Sequence, residues 1–137
     1  MRYLQYAIFV VAIFFTITSA NAEIIGKTDE EVRAIAEPLL DTILEGFKTD
    51  NYATYSKDFD TMLKESISES KFLEIDRQIQ GSIGDYISRE YLGFMVKGKM
   101  TVILWKGKFN KSEDDVLIKL VVSKRQDKYV VTGLWFQ

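Results

Sequence analysis

The chain has neither cysteine nor histidine, and one proline in 137 residues. Without cysteine there is no disulfide framework, thiolate nucleophile, iron–sulfur cluster or lipidated thiol. Without histidine, Ser-His-Asp and Cys-His sites and the usual zinc spacings are excluded. An enzyme made from this chain would work with carboxylates, Tyr, Lys or Arg. Charge of one sign is also lacking: 18 basic residues face 20 acidic ones, for a net charge of −2. No basic stripe exists to follow a phosphate backbone, so nucleic acid is not an expected partner. No cofactor is expected either. The length is that of one domain, and there is no internal repeat, low-complexity tract or linker.

Residues 1–22 read as a secretory signal. Arg2 supplies the positive start, residues 7–17 are apolar except for Thr16, and Ala20-Asn21-Ala22 is a small-x-small cleavage site before Glu23. The apolar run is about half of the roughly 20 residues that span a bilayer, so no stable membrane anchor is expected after cleavage. The remaining domain, residues 23–137, would be periplasmic or extracellular.

Helices come first in that domain. Thr28 followed by Glu31 is a capping box. Val32, Ile35, Ala36, Leu39, Leu40, Ile43, Leu44 and Phe47 then recur on one stripe, which stays in phase through Pro38, so the proline should kink the helix and not end it. Short helical turns follow, with Tyr52, Tyr55, Phe59, Met62 and Leu63 expected to point inward. A third helix starts near Ser68 or Ser70 and buries Phe72, Leu73, Ile75 and Ile79. Gly81 and Gly84 mark the passage into strands.

The C-terminal part reads as four strands: about 84–96, then 100–109, 116–124 and 129–136. The last three are rich in β-branched and aromatic residues, and polar turns separate them. Connections this short leave no room for crossover helices, so the sheet should be an antiparallel meander. The expected fold class is α+β, with three N-terminal helices packed on a curved four-stranded antiparallel sheet, a cone with a pocket.

Asp50-Asn51-Tyr52, Tyr55, Phe59, Met62-Leu63-Lys64, Lys71-Phe72 and the Gly-Ser-Ile-Gly of 81–84 resemble the domain-of-unknown-function family 3887. Those small exported prokaryotic proteins have the nuclear-transport-factor-two-like (cystatin-like) cone. The resemblance spans roughly residues 34–136. It implies the cone and an exported setting, and it carries over no activity and no functional residue. Dimerisation through the sheet is common in that superfamily, so the resemblance also implies a homodimer.

The leading ligand site is an aromatic pocket under the first helix, with Tyr52, Tyr55, Phe59, Tyr86, Tyr91, Trp105 and Trp135 as candidates. Its occupant would be a small apolar or amphipathic molecule. The plain alternative is that these rings fill the core. Asp85 and Arg89, four apart on the first strand, are a weaker acid–base pair, and an isomerase-like reading would rest on Asp85 with a Tyr. The acidic clusters Asp58/Asp60 and Glu113-Asp114-Asp115 lack the other ligands and the glycine of a calcium loop, so they read as turns and no metal is expected. On the third strand Val116, Ile118, Leu120 and Val122 form the core face. Leu117 and Val121 face outward, where Trp105 or Trp135 beside them would make a partner surface. The expected function is therefore a binding domain and not an enzyme, with an interaction module on the outer sheet face as the alternative.

Overall fold

The computed structural model describes residues 22–137, so all of the expected export signal except Ala22 lies outside the described residues. The elements run β1 (Ala22–Glu23), α1 (Asp29–Lys48), α2 (Tyr52–Tyr55), α3 (Thr61–Ser66), α4 (Glu69–Ser82), β2 (Tyr86–Lys97), β3 (Met100–Phe109), β4 (Val116–Arg125) and β5 (Lys128–Phe136). The fold is α+β, with the helices N-terminal to a curled antiparallel sheet that they cover on its inner face.

Each helix begins at a polar cap. Thr28, Asn51, Asp60 and Ser68 each accept a bond from the backbone N–H three residues on. The expected capping box is offset by one residue, because Glu31 accepts from the N–H of Lys27 and not of Thr28. Helix α1 continues without a break through Pro38, burying Val32, Ala36, Leu40, Ile43 and Gly46. The middle one of the three expected helical segments is divided into α2 and α3. Between them Phe59 forms a parallel bridge with Val131, where Asp60 N–H donates to Val131 and Val131 N–H donates to Asp58. Two inward assignments change. Met62 and Leu73 are 37% and 38% exposed, and the place given to Leu73 on the buried stripe of α4 belongs to Asp76.

Strands β2 to β5 pair in sequence, as a meander. A fifth strand, β1, adds Ala22 opposite Arg125 and Glu23 opposite Lys124, beyond the last β3 pair at Thr101 and Val122. Register shifts interrupt β2 at Tyr86/Ser88 and at Tyr91/Gly93, and a third lies between β4 and β5 beside Val121/Val122. An extra residue bends a strand and tightens its twist, which accounts for the curl. The shifts also change the facing. Tyr86, Tyr91 and Phe94 all pack on the inner core, and Arg89 reaches α1.

The inner face carries Ile103, Trp105, Ile118, Leu120, Val122, Val131, Leu134 and Phe136. Val102, Val121 and Trp135, with Met100 and Leu104, form a separate cluster on the other face. Trp135 is thus the tryptophan beside Val121, but both are buried, at 4% and 5% exposure, and do not form the exposed patch expected there; Trp105 lies inside.

Candidate functional site

A cavity of about 780 Å³ lies between the second half of α1, the second half of α4 and the ends of β2, β3 and β5. Leu44, Phe47, Ile79, Tyr86, Phe109 and Phe136 supply its apolar surface. Asp41, Glu45, Asp50, Asp76 and Asp85 line it as well, against one ammonium, Lys48. Its size falls in the range of pockets that enclose small organic ligands.

The cavity is closed off on the α1 side by a polar layer. Arg89 donates to Glu37 at 2.6 and 3.0 Å, to Asp41 at 2.7 Å and to the Tyr86 hydroxyl at 3.1 Å. Trp105 Nε1 donates to the other oxygen of Glu37 at 2.9 Å. Burial pushes the Glu37 carboxyl up, but the Trp105 and Arg89 donors outweigh it and hold it below the usual carboxylate range. Glu37 is therefore charged and fully engaged, and it holds Arg89 against the sheet. Asp41 and Tyr86 belong both to this layer and to the cavity wall.

Asp76 is the buried carboxyl of the cavity wall, where Asp41, Glu45, Asp50 and Asp85 are exposed. It is 6% exposed, and its Oδ1 is buried without a hydrogen-bond partner. Desolvation raises its pKa, the hydrogen-bonded and charged Asp50 beside it raises it further, and Gln80 offsets only part of this, so the group is pushed up to about 7. Asp76 lies four residues after Phe72 and three before Ile79, on the face of α4 that packs on the core. The helix period thus fixes a carboxyl on an otherwise apolar wall.

Asp50 arrives by a different route. Helix α1 ends with the N–H of Asn51 on Gly46 C=O at 2.9 Å and the N–H of Asp50 on Phe47 C=O at 3.4 Å. This is a Schellman closure, whose left-handed position usually goes to glycine. Here Asp50 takes it, at φ 51°.

The seven aromatic candidates are dispersed. Tyr86 lines the cavity. Tyr55 is fully buried against Phe47, Phe59 and Phe72, and Tyr52 stacks on Phe72 while its hydroxyl donates to Ile67 C=O at 2.6 Å. Tyr52, Tyr55 and Phe59 thus pack the space between the helices and β5. Tyr91 meets Trp105 edge-on and donates to Asp29 at 2.6 Å. Trp105 is fully buried, and Trp135 is on the opposite sheet face under Lys119. Asp85 is exposed and lines the cavity, its backbone tied to Asn110, while Arg89 bonds to Glu37, Asp41 and Tyr86. Of the turn clusters, Asp60 is a buried cap paired with Arg125 and Asp115 pairs with Lys108.

Sequence reasoning missed Asp76 and Asp50. A signal existed for the first, an acid in register with Phe72, Ile75 and Ile79. Nothing in the spacing pairs it with a helix end 26 positions away.

Among the described residues no helix is long and apolar enough to cross a membrane. Comparison of the chain with protein-family models, curated proteins and solved structures finds no match.

Proposed function

We propose that this is an exported, non-enzymatic binding domain that holds a small amphipathic molecule in the cavity between α1, α4 and the strand ends. One observation carries the reading: a half-open space of about 780 Å³ combines an apolar surface from α1, α4 and the strand ends with carboxylates from both helices and the turn before β2. Such a surface suits a ligand with an apolar body and a polar end. The helices-then-curled-sheet order supports the nuclear-transport-factor-two-like placement that the sequence resemblance implies, and the export assignment rests on residues 1–22. The acid of the isomerase-like reading, Asp85, is open to solvent, which disfavours it as a desolvated base.

Mass spectrometry of small molecules carried through purification tests this reading. An amphipathic compound should accompany the native protein and be depleted from Leu44→Trp, where the larger side chain intrudes on the apolar wall of the cavity. A native protein that carries nothing and takes up no added amphiphile would end the proposal.

A second reading, self-association through the sheet, is favoured by one observation. Ile87, Leu92, Met95 and Val96 on β2 are 61%, 53%, 46% and 48% exposed. Exposed apolar side chains concentrated on one edge strand are unusual in a monomer. Light scattering should give twice the chain mass, falling to one chain mass in Leu92→Lys/Met95→Lys. A monomeric native protein at high concentration would sink it.

A further inference from the structure

We propose that the polar end of the ligand is a cation of the alkylammonium class, held between Asp76 and Asp50. This inference rests on the cavity reading above and specifies its ligand.

Asp76 has an unmet demand. A buried carboxylate oxygen without a donor is costly, and native structures keep few of them. Oδ1 of Asp76 is such an atom, in the wall of the cavity. The atom is covered in the free protein, so a rotation of the carboxyl would bring it to a ligand N–H.

Asp50 bears costs of its own, independent of that unmet demand. The Schellman position it fills favours glycine, and a left-handed Asp is tolerated at a cost. The residue also places negative charge beyond the C-terminus of α1, where the helix dipole is already negative. A second carboxyl lies beside it, which is repulsive once both are ionised. All three costs fall on one side chain at the cavity. Local strain of this kind gathers at binding sites, where a ligand offsets it.

The sign of the field points the same way. The groups facing Asp76 are Asp41, Glu45 and Lys48 on α1, Asp50 beyond its end, Gln80 on α4, Asp85 in the following turn, and Tyr86 on β2. Strands β3 and β5 contribute Phe109 and Phe136, which carry no charge. A concave site with an excess of one sign of charge concentrates the opposite ion. Asp41 is paired with Arg89, and Lys111 donates to the Gln80 carbonyl, so an anionic head would meet Glu45, Asp50, Asp76 and Asp85 against Lys48.

Below neutral pH Asp76 holds a proton in the free protein. A bound ammonium favours the carboxylate, so binding should release that proton, and affinity should fall as pH falls. An alkylammonium keeps its own charge throughout, with a pKa near that of lysine, about 10.4.

Titration calorimetry of the purified protein with octylammonium, octanol and octanoate tests the assignment. At pH 7.5 octylammonium should bind at least about tenfold more tightly than octanol, a difference of about 1.4 kcal/mol. Octanoate should bind more weakly than either. The octylammonium advantage should shrink at pH 5, whereas octanol binding stays constant. Asp76→Asn should bring octylammonium to the octanol level and leave octanol unchanged. That variant should also melt higher than the native protein at pH 7.5 and alike at pH 4, because a carboxyl whose folded pKa is raised contributes less stability as pH rises from its unfolded value. The melting readout verifies that the variant is folded.

Equal affinities for octylammonium and octanol, or an ammonium preference that survives in Asp76→Asn, would overturn the cation assignment and leave the cavity reading standing. Failure of all three amphiphiles to bind would overturn both.

Discussion

Asp60→Ala should destabilise the domain by about 3–5 kcal/mol, the range for breaking a buried ion pair by removing one partner. Asp60 Oδ1 accepts from the N–H of Leu63 at 2.7 Å and caps α3. Its Oδ2 accepts from Arg125 Nη1 at 2.9 Å. The two side chains are 3% and 25% exposed, so water cannot readily replace the carboxylate. Arg125 Nε is already buried without a partner, which leaves the guanidinium more dependent on Asp60. The pair also ties the end of β4 to the crossing where Phe59 bridges Val131. Against a typical domain stability of about 5–15 kcal/mol, the loss is a large fraction. Urea unfolding gives the number directly. Asp60→Asn keeps a capping oxygen and loses the charge, so it should fall between native and Ala. Arg125→Leu in the Asp60→Ala background should recover part of the loss, because no buried cation is then left unpaired. An Asp60→Ala protein within about 1 kcal/mol of native would show that the pair contributes little, as exposed pairs do.

Asp60 also illustrates where the sequence could and could not be read. Its local pattern, Asp58-Phe59-Asp60, is that of a polar turn, and a turn is what separates α2 from α3. Its burial follows from β5, more than 70 positions away, whose Val131 bonds both flanking backbone groups. Spacing carries no information about such a contact. Strands β3, β4 and β5 were legible almost to the residue, because β-branched and aromatic side chains alternate there between two sheet faces and polar turns bound them. Strand β2 was legible as a strand but not in its facing. Two register shifts bring Tyr86, Tyr91 and Phe94 to the same side, so counting by twos from Asp85 to Arg89 loses the correct face at the first bulge.

The cavity was legible as a location and not as a chemistry. A long amphipathic helix over a curved sheet implies a space at one end, and aromatic residues are the usual lining. Most of them here serve other purposes. Tyr52, Tyr55 and Phe59 fill the helical side, and Trp105 is spent on Glu37. The distinctive groups are carboxylates from a helix stop and a helix stripe. Composition gives no hint of them, since the whole chain carries a net charge of only −2.

Gly46→Ala should cost about 3 kcal/mol, at the upper end of the usual overpacking range. In an exposed helix interior the same change stabilises by about 1 kcal/mol, since alanine has the higher helix propensity. Here packing reverses the sign. A Cβ on Gly46 would lie 2.5 Å from both Cα and N of Tyr55 and 2.6 Å from its Cβ. Two of those atoms are backbone, so no rotamer change relieves the clash, and α2 must move away from α1. Tyr55 anchors the ring cluster with Phe47, Phe59 and Phe72 and would move with it. Gly46 C=O also receives the Asn51 N–H that closes α1 and fixes Asp50. The substitution should therefore weaken octylammonium binding as well as lower the unfolding midpoint. Gly81→Ala is the internal control. Gly81 is also helical, in α4, but nothing lies within 4 Å of its added Cβ, so it should gain up to about 1 kcal/mol. Equal and opposite-signed shifts are not required, only that Gly46→Ala unfolds at lower urea than native and Gly81→Ala at higher. If both variants shifted upward, the approach of α1 to the Tyr55 backbone would not be as close as the 2.5 Å contacts imply.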